Sequence, residues 1–283
     1  MLEERALTLA DVPAACALST EVHWNQSVAD WRMLLELGRG FAVLGEDGAI
    51  VATAVVLPYE RRFAWIGMVI VTAVFRRRGL ATRLLERCVT SIAQTGAVAI
   101  LDATPAGREV YRKLGFIDTW ELQRYAGAGS PVAEEAGAAV RVRGMTLRDL
   151  DGLCGEDTET FGADRSALLR ALFERKPQAA LVAERADGTL AGLTFERAGR
   201  TATQIGPVVA DDAATALALV AHAVRSTTGP LMIDVPLEHV RVNAWLEAHG
   251  FAVERPFTRM QHGVAKPYGR LEKTFAIAGP ELG

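Results

Sequence analysis

The chain has 283 residues, 50% of them hydrophobic, and a formal net charge of −3, so it carries the material for a large core or two ordinary ones. The charge excludes a globally basic nucleic-acid binder. No apolar run reaches the about 18 residues of a membrane span, and the start "MLEERALTLADVPAA" lacks a signal peptide's basic-then-apolar order, which predicts a soluble, cytoplasmic protein.

In chain order, a short strand leads into a helix after Asp11, its expected N-cap. "NQSVADWRMLLEL" predicts a second helix with Trp31, Leu34 and Leu35 on one side. "GFAVLGEDGAIVATAVVL" reads as a hairpin turning at Asp47 and Gly48, and a buried strand follows from Ala64 to Val71. The helix predicted from Gly79 to Ile92 carries Leu80, Leu84, Leu85, Cys88 and Ile92 on one face and Arg83, Glu86 and Arg87 on the other. "AVAILDAT" is a further strand, Thr104 and Pro105 open the next helix as N-cap and first residue, and "FIDTWELQRY" alternates as a closing strand. Strand–helix–strand units of this kind belong to the mixed α/β class. Cys16, Cys88 and Cys154 are odd in number and lack ligand spacing, so they read as reduced thiols.

The pattern then repeats. "TLADVPAAC" returns as "TLRDLDGLC", "EDGAIVATAVV" as "ADGTLAGLTFE", "WIGMVIV" as "QIGPVVA", and "YRKLGF" as "LEAHGF". Four matches in one order make the chain two copies of a unit of about 135 residues, an ordinary domain size. The expected boundaries are 1–126 for the first copy, 127–139 for a linker and 140–283 for the second. The Gly- and Ala-rich stretch "YAGAGSPVAEEAGAA" supplies the linker and reads as exposed.

In copy one, "WIGMVIVTAVFRRRGLATRLLERC" ends an apolar strand in three arginines and a glycine before a helix. N–H groups at a helix start lack partners inside the helix and lie at its positive end, so an anion is held there by backbone alone. Gly79 lets a phosphate approach, Arg76, Arg77 and Arg78 add charge, and the small Ala81 keeps the next turn open. A solvated arginine cluster is the plainer alternative. The stretch is neither a P-loop, since no Lys-Ser/Thr follows the glycine, nor a GxGxxG fingerprint.

"VTAVFRRRGLATRLL" resembles motif A of the GCN5-related N-acetyltransferases (GNAT), whose Arg/Gln-x-x-Gly-x-Gly/Ala pattern is met by Arg76, Gly79 and Ala81. "GMVIV" is similar to the family strand that pairs with the pantetheine arm, and "VYRKLGF" to motif B, with Tyr111 four residues before the glycine. "WNQSVADW" resembles a substrate-side helical segment of one bacterial branch. The resemblance covers copy one. It implies two tandem GNAT-like domains, each a mixed, mostly antiparallel central sheet flanked by helices. It also implies an N-acetyltransferase that uses acetyl-CoA and no metal, with direct attack by a small-molecule amine in a ternary complex. The coenzyme would lie against Val69, Ile70 and Val71 and the loop Arg76, Arg77, Arg78, Gly79, Leu80, Ala81 and Thr82.

Acyl transfer needs a polarised carbonyl, a deprotonated amine and a proton for the departing thiolate. The resemblance implies that a backbone N–H near Val69 or Ile70 polarises the carbonyl. It makes Tyr111 the acid for the sulfur, with an unperturbed pKa of about 10. "AWIGMVIV" has no carboxylate where many relatives carry a glutamate, which leaves Glu21, His23, Asp30, Glu60 and Asp102 as candidate bases. Asp102, at the end of the strand before motif B, either faces the site as a catalytic residue or satisfies nearby backbone amides. Trp24 and Asn25, with Glu21 and His23, are expected to line the acceptor pocket, and Trp31 to pack the helix. The expected partner is a small-molecule amine, with no nucleic acid and no membrane, in a monomer or homodimer. The alternatives are an acyl-CoA-binding sensor without turnover and a protein-lysine acetyltransferase.

Copy two departs from this pattern. Pro207 removes a strand N–H, Asp211 and Asp212 stand where arginines are needed, no glycine opens the helix, and Leu246 takes the place of Tyr111. A degenerate, non-catalytic second copy is expected, with its tail "FAIAGPELG" shaping the acceptor pocket of copy one.

Overall fold

The computed structural model of the protein describes residues 2–132 and 139–283. They form two compact units, neither of which is one stretch of chain. The first holds the chain up to Thr119 together with Arg259–Ala265 and Glu281–Gly283; the second holds Trp120–Thr258 and Lys266–Pro280.

The first unit runs β1 (Glu4–Ala6), α1 (Val12–Glu21), α2 (Val28–Leu37), β2 (Arg39–Leu44), β3 (Ile50–Tyr59), β4 (Phe63–Val71), α3 (Leu80–Ala93), β5 (Val98–Ala103) and α4 (Pro105–Lys113). It takes the opening residues of β6 (Phe116–Ala128) and the closing residues of β12 (Ala252–His262). Strands β1 to β4 pair antiparallel in order, β4 pairs parallel with β5, and β12 then β6 follow β5. The apolar face of α3, with Leu80, Leu84, Leu85, Cys88 and Ile92, closes on Phe41, Val43, Ala52, Ala54, Val56, Ala64 and Ile66. Helices α1 and α2 contact β3 outside that cluster and cover the other face, with Trp31 fully buried and its indole N–H donating to Ser19 Oγ at 2.8 Å.

The second unit repeats the plan with β7 (Val140–Gly144), α5 (Leu147–Phe161), α6 (Ser166–Arg175), β8 (Leu181–Arg185), β9 (Leu190–Ala198), β10 (Thr203–Ala210), α7 (Ala213–Ser226), β11 (Pro230–Pro236), α8 (Val240–Ala248) and β13 (Thr274–Ala276). Strands β7 to β10 are antiparallel and β10 to β11 parallel. The strand beside β11 is β6, antiparallel from Leu122 opposite Pro236 to Ala128 opposite Pro230. Both sheets are mixed and mostly antiparallel, as expected.

Each unit therefore takes the strand beside its parallel pair from the other half of the sequence, and one buried ion pair fixes it. In the first unit Arg259 on β12 grips Asp102 on β5 through two hydrogen bonds of 2.9 Å and stacks over Trp65. In the second, Arg124 on β6 grips Asp234 on β11 through two bonds of 2.8 Å, and Gln204 donates to the same carboxylate at 2.9 Å. Side-chain exposure is 10% and 0% in the first pair and 7% and 0% in the second.

Two expectations change here. The boundaries at 126 and 140 assumed one cut, whereas the units exchange strands, a pairing that strand periodicity does not encode. Residues 127 and 128 extend β6, the Gly129 N–H bonds the Gly229 carbonyl, and Val132 is buried, so this part of the expected linker is packed; residues 133–138 lie outside the described residues. The first α-helix follows Asp11 as its N-cap, as expected, though the Asp11 carboxylate makes no cap bond to it and instead closes a capping box with Thr8 over the 3-10 turn Leu9–Asp11 and holds Arg5 at 2.7 Å. Arg143, Thr146 and Asp149 repeat this arrangement in the second unit. No helix among the described residues is long and apolar enough to cross a membrane.

Removing one partner of a buried pair strands the other's charge. Arg259→Met and Arg124→Met are each expected to cost about 3–5 kcal/mol, read as a lower midpoint in chemical denaturation. Midpoints unchanged in both would show that the pairs do not hold the exchanged strands.

Candidate active site

In the first unit β4 and β5 run together only from Phe63–Val98 to Trp65–Ile100 and then part. Beyond Trp65, no strand of the described residues pairs with the edge of β4 that faced β5. A bulge bends β4 at that point: Thr53 faces Ile70 and Val55 faces Gly67, so three steps on β4 oppose two on β3. Met68 takes the extra step at φ 54°, and its carbonyl accepts the Thr53 hydroxyl at 2.9 Å. Val69 and Val71 are half-buried toward the α3 side, while Ile70 is buried.

The chain leaving β4 is built as a cradle. Glu21, at the end of α1, accepts the Thr72 hydroxyl and the Ala73 N–H, each at 2.7 Å, and these bonds hold its carboxyl below the usual carboxylate range. Arg76 Nε donates to the Val71 carbonyl at 3.1 Å, and the Arg78 guanidinium sits over Phe75. Arg76, Arg77 and Arg78 are exposed. Gly79 is the N-cap of α3 at φ 76°, a conformation costly for any residue with a Cβ, and nothing stands within 4 Å of where that Cβ would be. No side chain caps this helix, and its first internal bond runs from the Arg83 N–H to the Gly79 carbonyl. The N–H groups of Leu80, Ala81 and Thr82 therefore have no partner inside the helix. The Leu80 side chain itself is core, so that residue serves the cradle through its backbone alone.

Tyr111 lies on α4 and packs at the edge of the α3 core, 6.1 Å from Phe116 between ring centres. Its ring folds back over Gly107, where a Cβ would stand 3.1 Å from the hydroxyl. Burial pushes the phenol up to about 12, and its hydroxyl makes no hydrogen bond among the described residues.

The other expected residues divide. Asp102 gives both oxygens to Arg259, and the matching Asp234 does the same for Arg124, so we assign it to the scaffold rather than to proton transfer. Asp30 is buried and caps α2 through Ser27. Glu60 occupies the turn that starts β4, at the end away from Val71. Glu21 anchors the loop. His23 is exposed at φ 59° in the turn after α1, followed by half-buried Trp24 and buried Asn25; the Glu21 bonds bring this turn to the end of β4.

Of the tail expected to reach copy one, the last residues, Glu281–Gly283, belong to the first unit and pack on β4, at a point the sequence did not specify. A Cβ on Gly67 would stand 3.0 Å from both Cα and Cβ of Glu281, and the Tyr59 hydroxyl donates to the Leu282 carbonyl. Nothing in composition or spacing pairs Gly67 with a residue more than 200 positions away.

The second unit keeps the frame and closes the opening. Strands β10 and β11 pair as far as Ile205–Ile233 and then part at a bulge. Here β13 fills the gap, pairing with β10 at Val208–Ala276 and Val209–Thr274, while the Ile277 N–H bonds the Asp234 carbonyl at 3.0 Å. Phe275, Ala276, Ile277 and Ala278 are buried there. The start of α7 carries its own anion, Asp212, which accepts the Thr215 N–H at 2.8 Å, and Asp211 is paired with Arg185 and Lys273. Leu246 is fully buried where the other unit has Tyr111. Among the described residues, no group of three or more His, Cys, Asp or Glu could hold a metal ion.

Comparison with known proteins finds the same family in both halves of the chain. The family model described as "Acetyltransferase (GNAT) family" matches residues 9–116, and the one described as "Acetyltransferase (GNAT) domain" matches residues 154–276. The chain is 27% identical over 221 residues to "Uncharacterized N-acetyltransferase YitH" of Bacillus subtilis (strain 168), covering 78% of this chain and 77% of that one. It is 25% identical over 263 residues to "Holothin acyltransferase" of Pseudoalteromonas sp. (strain SANK 73390), covering 92% and 87%. A putative acetyltransferase from Pyrococcus horikoshii shares the fold with a TM-score of 0.78 at 19% identity, over 100% of this chain and 96% of that one. A sheet split beside an uncapped helix start, present in one half and plugged in the other, thus sits on two matches to one family, and the chain belongs to the GNAT acetyltransferases as a tandem member.

Proposed function

We propose that the first unit transfers the acetyl group of acetyl-CoA to the amine of a small molecule, by direct attack in a ternary complex, and that the second unit binds no coenzyme. The observation that carries this reading is the contrast between the two splits: the one in the first unit has an open strand edge, and the one in the second is filled by β13. The relative named as an acyltransferase of holothin supports an acyl-transfer reading.

The residues fit the donor. The pyrophosphate would meet the N–H groups of Leu80, Ala81 and Thr82, where a helix start favours anions, and Arg76, Arg77 and Arg78 would offset its charge. The pantetheine arm would take the edge of β4 along Val69–Val71, the place that β13 takes on β10. There an N–H near Val69 or Ile70 would polarise the thioester carbonyl. A neutral amine nitrogen attacks the carbonyl carbon, the C–S bond breaks, and the leaving thiolate takes its proton from the Tyr111 hydroxyl. The nitrogen releases its extra proton to water, from which the phenolate is reprotonated. A phenol raised to about 12 stays protonated near neutral pH and has no competing bond to break. A binding module without turnover would need no such group.

Gly79→Glu should abolish acetyl-CoA binding, because it places a strained residue and a negative charge where phosphate must sit; calorimetry on folded variant showing wild-type affinity would refute the cradle. Tyr111→Phe should bind acetyl-CoA as the wild type does and lose about 10²–10⁴-fold in the chemical step. A single-turnover rate within roughly threefold of wild type would reduce Tyr111 to packing.

A further inference from the structure

Resting on that reading, we propose that Glu21 is a positioning residue, a latch that ties the acceptor-side turn to the coenzyme loop so that acetyl-CoA and the acceptor amine strengthen each other's binding. Glu21 ends α1. Its two carboxylate oxygens take different partners, one the Thr72 hydroxyl and the other the Ala73 N–H, each at 2.7 Å. Hydrogen bonds to a charged acceptor are stronger than neutral ones. On one side of the latch the chain runs on to His23, Trp24 and Asn25; on the other it runs through Phe75 to Arg76, Arg77, Arg78 and Gly79.

Both segments hold backbone that needs fastening. His23 stands at φ 59° and Arg77 at φ 61°, each a residue with a Cβ in the left-handed region. Such residues cost energy and persist where their surroundings hold them, commonly beside ligands. The N–H groups of His23 and Trp24 bond the Thr20 and Ser19 carbonyls, and Arg76 bonds Ala73 through its N–H and Val71 through its Nε. Among these bonds, those of Glu21 join the two segments.

The second unit shows the same helix end beside a split that is already filled. Counting on from Cys16 and Cys154, Glu21 matches Glu159, and the residues after the matched strands, Thr72 and Ala73, match Asp211 and Asp212. Glu159 accepts instead from Arg270 at 2.9 Å, and the Arg270 N–H bonds the Thr160 carbonyl at 2.7 Å. Arg270 leads directly into the turn before β13, the strand that fills that split. Lys273 adds bonds to Glu156 on α5 and to Asp211. The first long helix is thus fastened to the built-in occupant of the split in one unit, and to the loop that would cradle the coenzyme in the other. Acetyl-CoA that settles the loop then settles the acceptor turn through Glu21, and by linkage the amine returns the same factor.

The test is made on the full chain as wild type, Glu21→Gln, Thr72→Val and the double variant. Thiol release from acetyl-CoA with an aromatic amine, an alkyl diamine and an amino sugar first selects the amine turned over fastest. Calorimetry then gives its affinity with and without saturating coenzyme A, which carries no acyl group to transfer. Wild type should bind the amine about fivefold or more tighter with coenzyme A present. Each single variant should lose most of that ratio, and the double variant no more than either. Acetyl-CoA affinity measured alone should fall by less than the ratio does. A wild-type ratio of one overturns the inference, as does a full ratio in Glu21→Gln. A loss in Glu21→Gln that Thr72→Val does not share also overturns it, because it marks a direct contact with the amine. Acetyl-CoA affinity that falls as far as the ratio marks a role in the cradle alone and overturns it too. Wild type that binds acetyl-CoA yet releases no thiol with any amine removes the transfer reading itself, and the inference with it.

Discussion

A buried guanidinium cannot be left without its carboxylate, and each half of this chain places one such pair at the same point of its sheet. Arg259 with Asp102, and Arg124 with Asp234, fasten the strand that follows each parallel pair. The rest of the architecture depends on this. With that strand fixed on the outer side of β5, the inner side of β5 is free to leave β4 after Trp65. The bulge at Met68 turns β4 away, and an open edge of backbone results. That the second unit keeps its pair without any coenzyme cradle argues that Asp102 serves the fold.

From the same frame, the two units diverge by what fills the split and what sits at the helix behind it. In the first, a glycine in the left-handed region starts α3 and leaves its N–H groups open beside three arginines. In the second, Asp212 caps α7, Asp211 is spent on Arg185 and Lys273, and β13 supplies hydrogen bonds along β10. A chain segment and a coenzyme arm compete for the same backbone donors and acceptors. On the proposed reading, the segment, covalently present at high effective concentration, keeps the arm out of the second unit.

Much of this was legible in the sequence. The repeat, the hairpin turn at Asp47–Gly48, the apolar face of α3 and the arginine–glycine loop all rest on local spacing, which sequence displays directly. The strand exchange did not show, because an alternating strand such as "FIDTWELQRY" fits either sheet and its register is set by partners far away in the chain. The role of Asp102 turned on Arg259, and the approach of Glu281 to Gly67 turned on close backbone contact; neither leaves a mark on neighbouring residues. Glu21 was expected in the acceptor pocket, and its bonds from Thr72 and Ala73 give it a loop-anchoring role that the sequence did not display.

The central claim is that one half of a duplicated fold is open to the coenzyme and the other is closed by its own chain. Titration of the full chain with acetyl-CoA by calorimetry tests it most directly. A single site per chain is the predicted result; two equivalent sites per chain would contradict the account.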